Sequence, residues 1–247
     1  MNSATIPTLV ISSLLALSMT GCNNDTANNT TPSVKRIALN DTGLTSAVDA
    51  AGNLIPCDHP EAAGQDCRYG RDATHNDNQD GVAGFSFTKL SATGEALAAS
   101  ATAWSCVKDN VTGLVWEHKT LDGGLHDSNK TYRWGGLGAD TLETTNTNEQ
   151  YHDWDVLVNA SNSERLCGFT DWRVPEPMEL INLVNYAAYA PAIDTHYFPN
   201  TQSKLYWSNS AFAIEDNTGA YGVNFESGLG YAALRYEYYP VRLVRGE

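Results

Sequence analysis

Five cysteines, Cys22, Cys57, Cys67, Cys106 and Cys167, restrict what this 247-residue chain can fold into more than any other feature. Cys22 is set apart from the rest. It follows an uncharged apolar stretch, residues 9–19 (LVISSLLALSM), and the pair Thr20-Gly21. Such a stretch is too short to span a bilayer as a stable helix and fits the apolar region of a signal peptide. An odd number of cysteines in an exported chain leaves one thiol unpaired. With Cys22 set aside, four remain, and an oxidising compartment makes disulfides their expected state. Four cysteines allow three pairings. We favour Cys57–Cys67, closing a Pro/Asp/Gly-rich loop, and Cys106–Cys167, joining distant parts of the core. Zinc is the alternative, but no CxxC or paired-histidine spacing supports it.

The small residues running into Cys22 resemble the lipobox of bacterial lipoproteins. The resemblance implies a signal peptide over residues 1–21 and acylation of Cys22, which would anchor the protein to a membrane. An ordinary secretory signal cleaved nearby is the other reading. Residues 22–33 hold almost nothing apolar and read as a disordered tether. Asn23, standing where Asp would favour the inner membrane, points by the same resemblance to the outer membrane.

About 214 residues lie beyond the tether, enough for one large domain or a domain with an extension. Six Trp and twelve Tyr can supply a core. The formal charge is −14, and residues 1–21 contribute none of it. A field of that sign repels nucleic acids and sulfated polysaccharides, and no Lys/Arg cluster offsets it, so polyanion partners are disfavoured.

Residues 34–50 read as a strand, a turn and a second short strand. Residues 52–83 are loop-rich. Within them Asn76, Asn78 and Asp80 alternate before Gly81, like the first half of a calcium loop. Position 87 is Phe where the closing Glu would stand, so a polar surface turn competes with calcium. Residues 85–90 read as a strand. Residues 102–119 read as a β-hairpin turning on Asp109-Asn110-Val111-Thr112-Gly113, with Trp104, Val107, Leu114 and Trp116 as candidates for burial. Residues 121–148 read as a long surface loop. A helix is expected over 151–163, capped by Asp153, and a second over 176–186, with Pro177 in its first turn and Met178, Leu180, Ile181 and Val184 facing the core. Residues 205–213, 221–226 and 241–245 read as strands. Two helices followed by strands predict an α+β fold with a largely antiparallel sheet.

Several ordered segments now carry a family resemblance: Asp109 to Trp116, Leu166 to Pro175, Glu179-Leu180, Tyr197 to Thr201, Tyr206 to Ser210 and Val241 to Arg245. Together they resemble the Lcl C-terminal domain family, named after a bacterial collagen-like adhesin, over residues 104–247. Tyr69 to Asp72 and Gly84-Phe85 resemble the N-terminal extension of many members, so residues 34–103 are expected to pack on that domain. More distantly, Trp172-Arg173-Val174-Pro175 with Glu179 resembles the formylglycine-generating-enzyme group. This implies a C-type-lectin-like variant with a twisted antiparallel sheet, two helices and long loops. The founding adhesin binds sulfated glycans through a basic surface, and the acidity of this chain argues against the same ligand.

Catalysis finds little support. There is no Gly-x-Ser-x-Gly elbow, HExxH or phosphate loop, the six histidines are scattered, and structural disulfides account for the cysteines a formylglycine-type enzyme would need. A non-catalytic binding or adhesion module of the cell envelope is the preferred reading, recognising a glycan or another envelope component. Tyr132, Trp134, Tyr206 and Tyr236 are the candidates for stacking on sugar rings. Trp104, Trp116, Trp172 and Trp207 read instead as core. The pair Arg173–Glu179 is expected to fix a loop and a helix start. The competing reading is a structural lipoprotein whose tyrosines dock another protein.

Overall fold

A computed structural model describes residues 38–75, 78–136, 152–212 and 219–246. The expected signal peptide and tether, with Cys22, and Asn76 lie outside the described residues. The fold is α+β, with short helices and antiparallel sheets.

Its centre is a four-stranded sheet in the order β3-β4-β5-β9, formed by β3 (Phe87–Leu90), β4 (Cys106–Asp109), β5 (Val115–Glu117) and β9 (Val244–Arg245). The β4–β5 hairpin follows from its turn. Asp109 Oδ1 accepts from the backbone N–H of Val111 at 2.9 Å and of Thr112 at 3.2 Å. Gly113 then takes φ of +79°, open to glycine without strain, and donates to the Asp109 carbonyl at 2.9 Å. The aspartate therefore does the work of an extra turn of backbone. It is fully buried, and burial pushes its carboxyl above the usual range.

Side chains alternate across this sheet with period two. Val107 and Trp116 enter one apolar cluster with Phe85, Phe87, Leu180 and Tyr197, while Cys106 and Val115 enter a second with Leu157, Trp172, Leu205 and Leu243. Both faces are thus covered, and β5 is buried at every position. A second antiparallel sheet, β6-β7-β8, comprises β6 (Leu205–Phe212), β7 (Gly219–Asn224) and β8 (Leu229–Leu234). The first half of β6 divides in the same way: Tyr206 joins the first cluster, Leu205 and Trp207 the second.

The first major helix, α2 (Asp155–Ser163), follows a four-residue turn of helix, α1 (Asp66–Tyr69). Leu157 and Ser161 are its buried positions. Asp153 does not cap it, because its carboxylate is taken by Arg133 in a two-pronged contact at 2.8 and 3.0 Å; Trp154 holds the cap position. The other, α3 (Pro177–Ile181), is shorter than the expected 176–186. It starts on Pro177 with a capping box between Glu176 and Glu179. It stops early because the backbone N–H groups further on have partners elsewhere: Asn185 bonds the Ala192 carbonyl at 3.1 Å and Tyr186 that of Thr42 at 2.8 Å. Met178 is half exposed rather than in the core, whereas Leu180 is fully buried. Arg173 forks onto Glu179 with two bonds of 2.7 Å, fixing the loop before α3 as expected.

Disulfides join Cys57 to Cys67 and Cys106 to Cys167, the favoured pairing. The first staples a small hairpin, β1 (Ala47–Val48) with β2 (Leu54–Ile55), to α1. No strand forms over residues 38–40; β1 and β2 are the strands among the described part of residues 34–55.

Candidate functional site

Three of the four aromatic candidates for sugar stacking are in the core. Tyr132 is 8% exposed, Trp134 2% and Tyr206 0%. The cause is hydrogen bonding as much as packing. The Trp134 indole donates to the Ser208 carbonyl at 2.7 Å, the Trp207 indole donates to the Tyr132 carbonyl at 2.8 Å, and the Tyr206 hydroxyl accepts from the Gln202 N–H at 2.9 Å. Tyr132 and Tyr239 also pair backbone to backbone at 2.9 and 3.1 Å. Residues 121–136 are therefore laced onto the sheet instead of standing away from it. An indole N–H that would be orphaned by burial finds a carbonyl, which makes these aromatics internal struts.

Tyr236 is 56% exposed, as a surface residue should be. Tyr221, Tyr231 and Tyr238 are exposed too, and the register puts Tyr221 and Tyr231 on opposite faces of the sheet. Tyr231 is on β8, which ends the three-stranded sheet and has β7 as its partner. Its residues Leu229, Gly230, Tyr231 and Ala232 are all exposed. Between β8 and the return segment 235–239 lies a groove of about 730 Å³. Leu205, Phe212, Tyr231, Ala233 and Tyr239 form its apolar and aromatic lining. Lys204, Asn224, Glu226 and Glu237 supply polar groups around it.

The register explains the opening. Tyr231 stands opposite Gly222, and Gly222 opposite Trp207. Glycine at 222 is required there: a Cβ would lie 2.6 Å from the Tyr206 carbonyl oxygen. With no side chain at Gly222, the residue paired with Tyr231 on the middle strand adds nothing over its ring, which stays half exposed. Glu237 accepts from the Tyr239 hydroxyl at 3.2 Å, and Glu226 from the Tyr189 hydroxyl at 3.0 Å. Burial and the Glu237 carboxylate both raise the Tyr239 phenol, which keeps it a protonated donor. The site can offer aromatic faces and hydrogen-bonding groups, and its carboxylates disfavour anions.

A cluster of charged groups around Glu117 is sealed. Glu117 accepts from Lys119 Nζ at 2.9 Å, His126 Nδ1 at 2.7 Å and the Leu243 N–H at 2.8 Å. Arg242 donates to the Glu117 carbonyl at 2.9 Å and to Thr201 Oγ1 at 2.8 Å. Burial alone would raise the Glu117 carboxyl, but Lys119 and His126 outweigh it and hold it at about 2. Glu117, Lys119 and Arg242 are each no more than 1% exposed, so no substrate reaches them. Sequence reasoning missed this cluster, since four residues drawn from three segments carry no shared motif.

Of the half calcium loop, Asn76 lies outside the described residues, and Asn78 and Asp80 stand in a turn before β3. Asn78 Oδ1 accepts from the Ala83 N–H at 3.0 Å, and Asp80 accepts from the Ser86 hydroxyl. Both oxygens hold the turn together.

The model of the Lcl C-terminal domain family matches residues 105–245. No curated protein and no solved structure matches the chain.

Proposed function

Because the chain belongs to the Lcl C-terminal domain family, whose model covers more than half of it, we propose that it is a non-catalytic binding module on a cell-envelope lipoprotein, and that its ligand is a neutral glycan. The observation that carries this reading is the groove along β8, whose lining combines the half-exposed Tyr231 with Tyr239 and Asn224. Pyranose rings stack on aromatic faces through their C–H surfaces and hydrogen-bond through their hydroxyls, and this groove provides for both. Glu226 and Glu237 favour neutral over sulfated sugars. The C-type-lectin-like relation implied by Trp172 to Pro175 agrees with a sugar ligand. A non-catalytic role is supported by the four cysteines standing in disulfides and by the closed Glu117 cluster.

A glycan array probed with wild type and with Tyr231→Ala tests the reading. Wild type is expected to select neutral glycans, and the variant to bind them about tenfold more weakly, or about 1.4 kcal/mol. Unchanged binding by the variant would remove the groove from the account. One feature favours the second reading, a protein partner: β8 has an open backbone edge among the described residues, to which an extended segment could add as a strand. An array without signal, together with cross-linking to one envelope protein through the β8 edge, would establish that reading instead.

The anchor is part of the proposal. Among the described residues no helix is long and apolar enough to cross a membrane. Attachment to the outer membrane would rest on a lipid at Cys22, with Asn23 favouring that destination. Cys22→Ala is expected to shift the protein from the membrane to the soluble fraction. If it still sediments with membranes as wild type does, Cys22 is not the anchor.

A further inference from the structure

Three carboxylates meet at the base of the N-terminal segment, away from the groove. Asp41, Asp66 and Asp72 each offer an oxygen, and these oxygens lie within 4.8 Å of one another. Asp41 and Asp72 are buried, at 6% and 7% exposure, and Asp66 is half buried. The sequence brings them together through α1 and the tight turn after it. Asp41 Oδ2 accepts from the Asp72 N–H at 2.9 Å, Asp41 Oδ1 from the Gly43 N–H at 3.0 Å, and Asp66 from the Thr42 hydroxyl. The chain closes round them so tightly that a Cβ on Gly84 would lie 2.6 Å from Asp41 Oδ2.

One oxygen in this cluster has no protein partner. Asp72 Oδ1 is buried and accepts no hydrogen bond. It faces the same space as Asp41 Oδ2, since a Cβ on Gly70 would lie 2.7 Å from the first and 2.9 Å from the second. No Lys, Arg or His among the described residues forms an ion pair with any of the three. The nearby Arg71 gives its Nε–H to the Gly84 carbonyl at 2.8 Å. Three carboxylates this close, two of them buried and none ion-paired among the described residues, call for either a proton or a cation between them.

We propose that Asp41, Asp66 and Asp72 hold a calcium ion, with Asp72 Oδ1 as the ligand that the protein itself leaves unsatisfied. The oxygen-only donor set suits a hard cation, and oxygens that all lie within 4.8 Å of one another can reach a single ion over calcium–oxygen bonds of about 2.4 Å. Magnesium holds its oxygens at about 2.1 Å and keeps most of its water, which a half-buried cluster of protein carboxylates suits less well. The ion would clamp residue 41 to α1 and the following turn. That clamp lies outside residues 105–245 and uses neither Asn78 nor Asp80. A proton shared among the three is the rival explanation, since burial and then the Asp41 charge raise the Asp72 carboxyl.

Calcium titration of the chelator-treated full chain, followed by calorimetry and by thermal unfolding, decides between them. Wild type is expected to bind one calcium and to gain Tm on binding. Asp72→Asn should weaken that binding by roughly tenfold or more while Asp80→Asn leaves it unchanged. Should Asp72→Asn fail to fold, Asp66→Asn, at the more exposed side of the cluster, reads the same loss. The proposal is overturned if millimolar calcium produces neither heat nor a change in Tm, if magnesium acts as well as calcium, or if Asp80→Asn and not the Asp66 or Asp72 variant abolishes binding.

Discussion

Glu117→Ala is expected to lower the unfolding free energy by about 3–5 kcal/mol, the range found when one member of a buried ion pair is removed. The carboxylate sits at 0% exposure against Lys119 at 1%, and His126 and the Leu243 N–H complete its shell. Removing it leaves a buried ammonium without a counter-charge and a backbone donor without an acceptor, and both penalties fall on the folded state. Urea unfolding should show the midpoint falling at unchanged slope. Acid gives a second readout. The wild-type carboxyl is held at about 2 against an ordinary 4.5, so its contribution is complete above that ordinary value and is lost as pH falls through about 2. The variant should lack that part of the acid dependence. A loss below about 1 kcal/mol would mean that water enters the cluster and that it is not sealed.

Joint replacement of Cys106 and Cys167 by alanine should cost a similar amount, about 4 kcal/mol. The bond links residues 61 apart in sequence, and the chain-entropy model assigns about that much to a loop of this length. Both cysteines lie in the second apolar cluster at no more than 1% exposure, so lost packing adds to the entropy term. The freed unfolded chain exposes more surface, and the slope of the urea transition should rise along with the fall in midpoint. Opening Cys57–Cys67, whose loop spans 10 residues, should cost less, about 3 kcal/mol in the same model. A double variant within about 1 kcal/mol of wild type would show that the linked segments are already close in the unfolded ensemble.

What could be read from sequence was local or arithmetical. The β4–β5 hairpin was legible because Asp109 and Gly113 carry its turn within five residues and the flanking strands alternate. Setting Cys22 aside left four cysteines and three pairings, of which the favoured one is observed. The stacking residues were not legible, because aromatic content does not tell a platform from a strut. Trp134 is a strut through a carbonyl 74 residues away. Strand β8 escaped notice because Leu-Gly-Tyr-Ala-Ala-Leu alternates neither in size nor in polarity, and its place depends on β7. Glu117 at the end of β5 and Lys119 two residues beyond it look like a solvated face until His126 and Arg242 arrive from elsewhere. The three aspartates at positions 41, 66 and 72 likewise converge through folding alone.

The pairing of β5 with β9 has a consequence in time. Trp116 must wait for Val244 before the central sheet can close, and Glu117 waits for the Leu243 N–H and for Arg242. A ribosome or a translocon delivering this chain from its N-terminus would hold the middle strand open until residue 244 emerged, with the ions around Glu117 still in water. Native contacts that close so late make for slow folding and leave little that can lock prematurely. On the export route proposed above, which threads the chain through a membrane before it folds, the strand order would work as a delay.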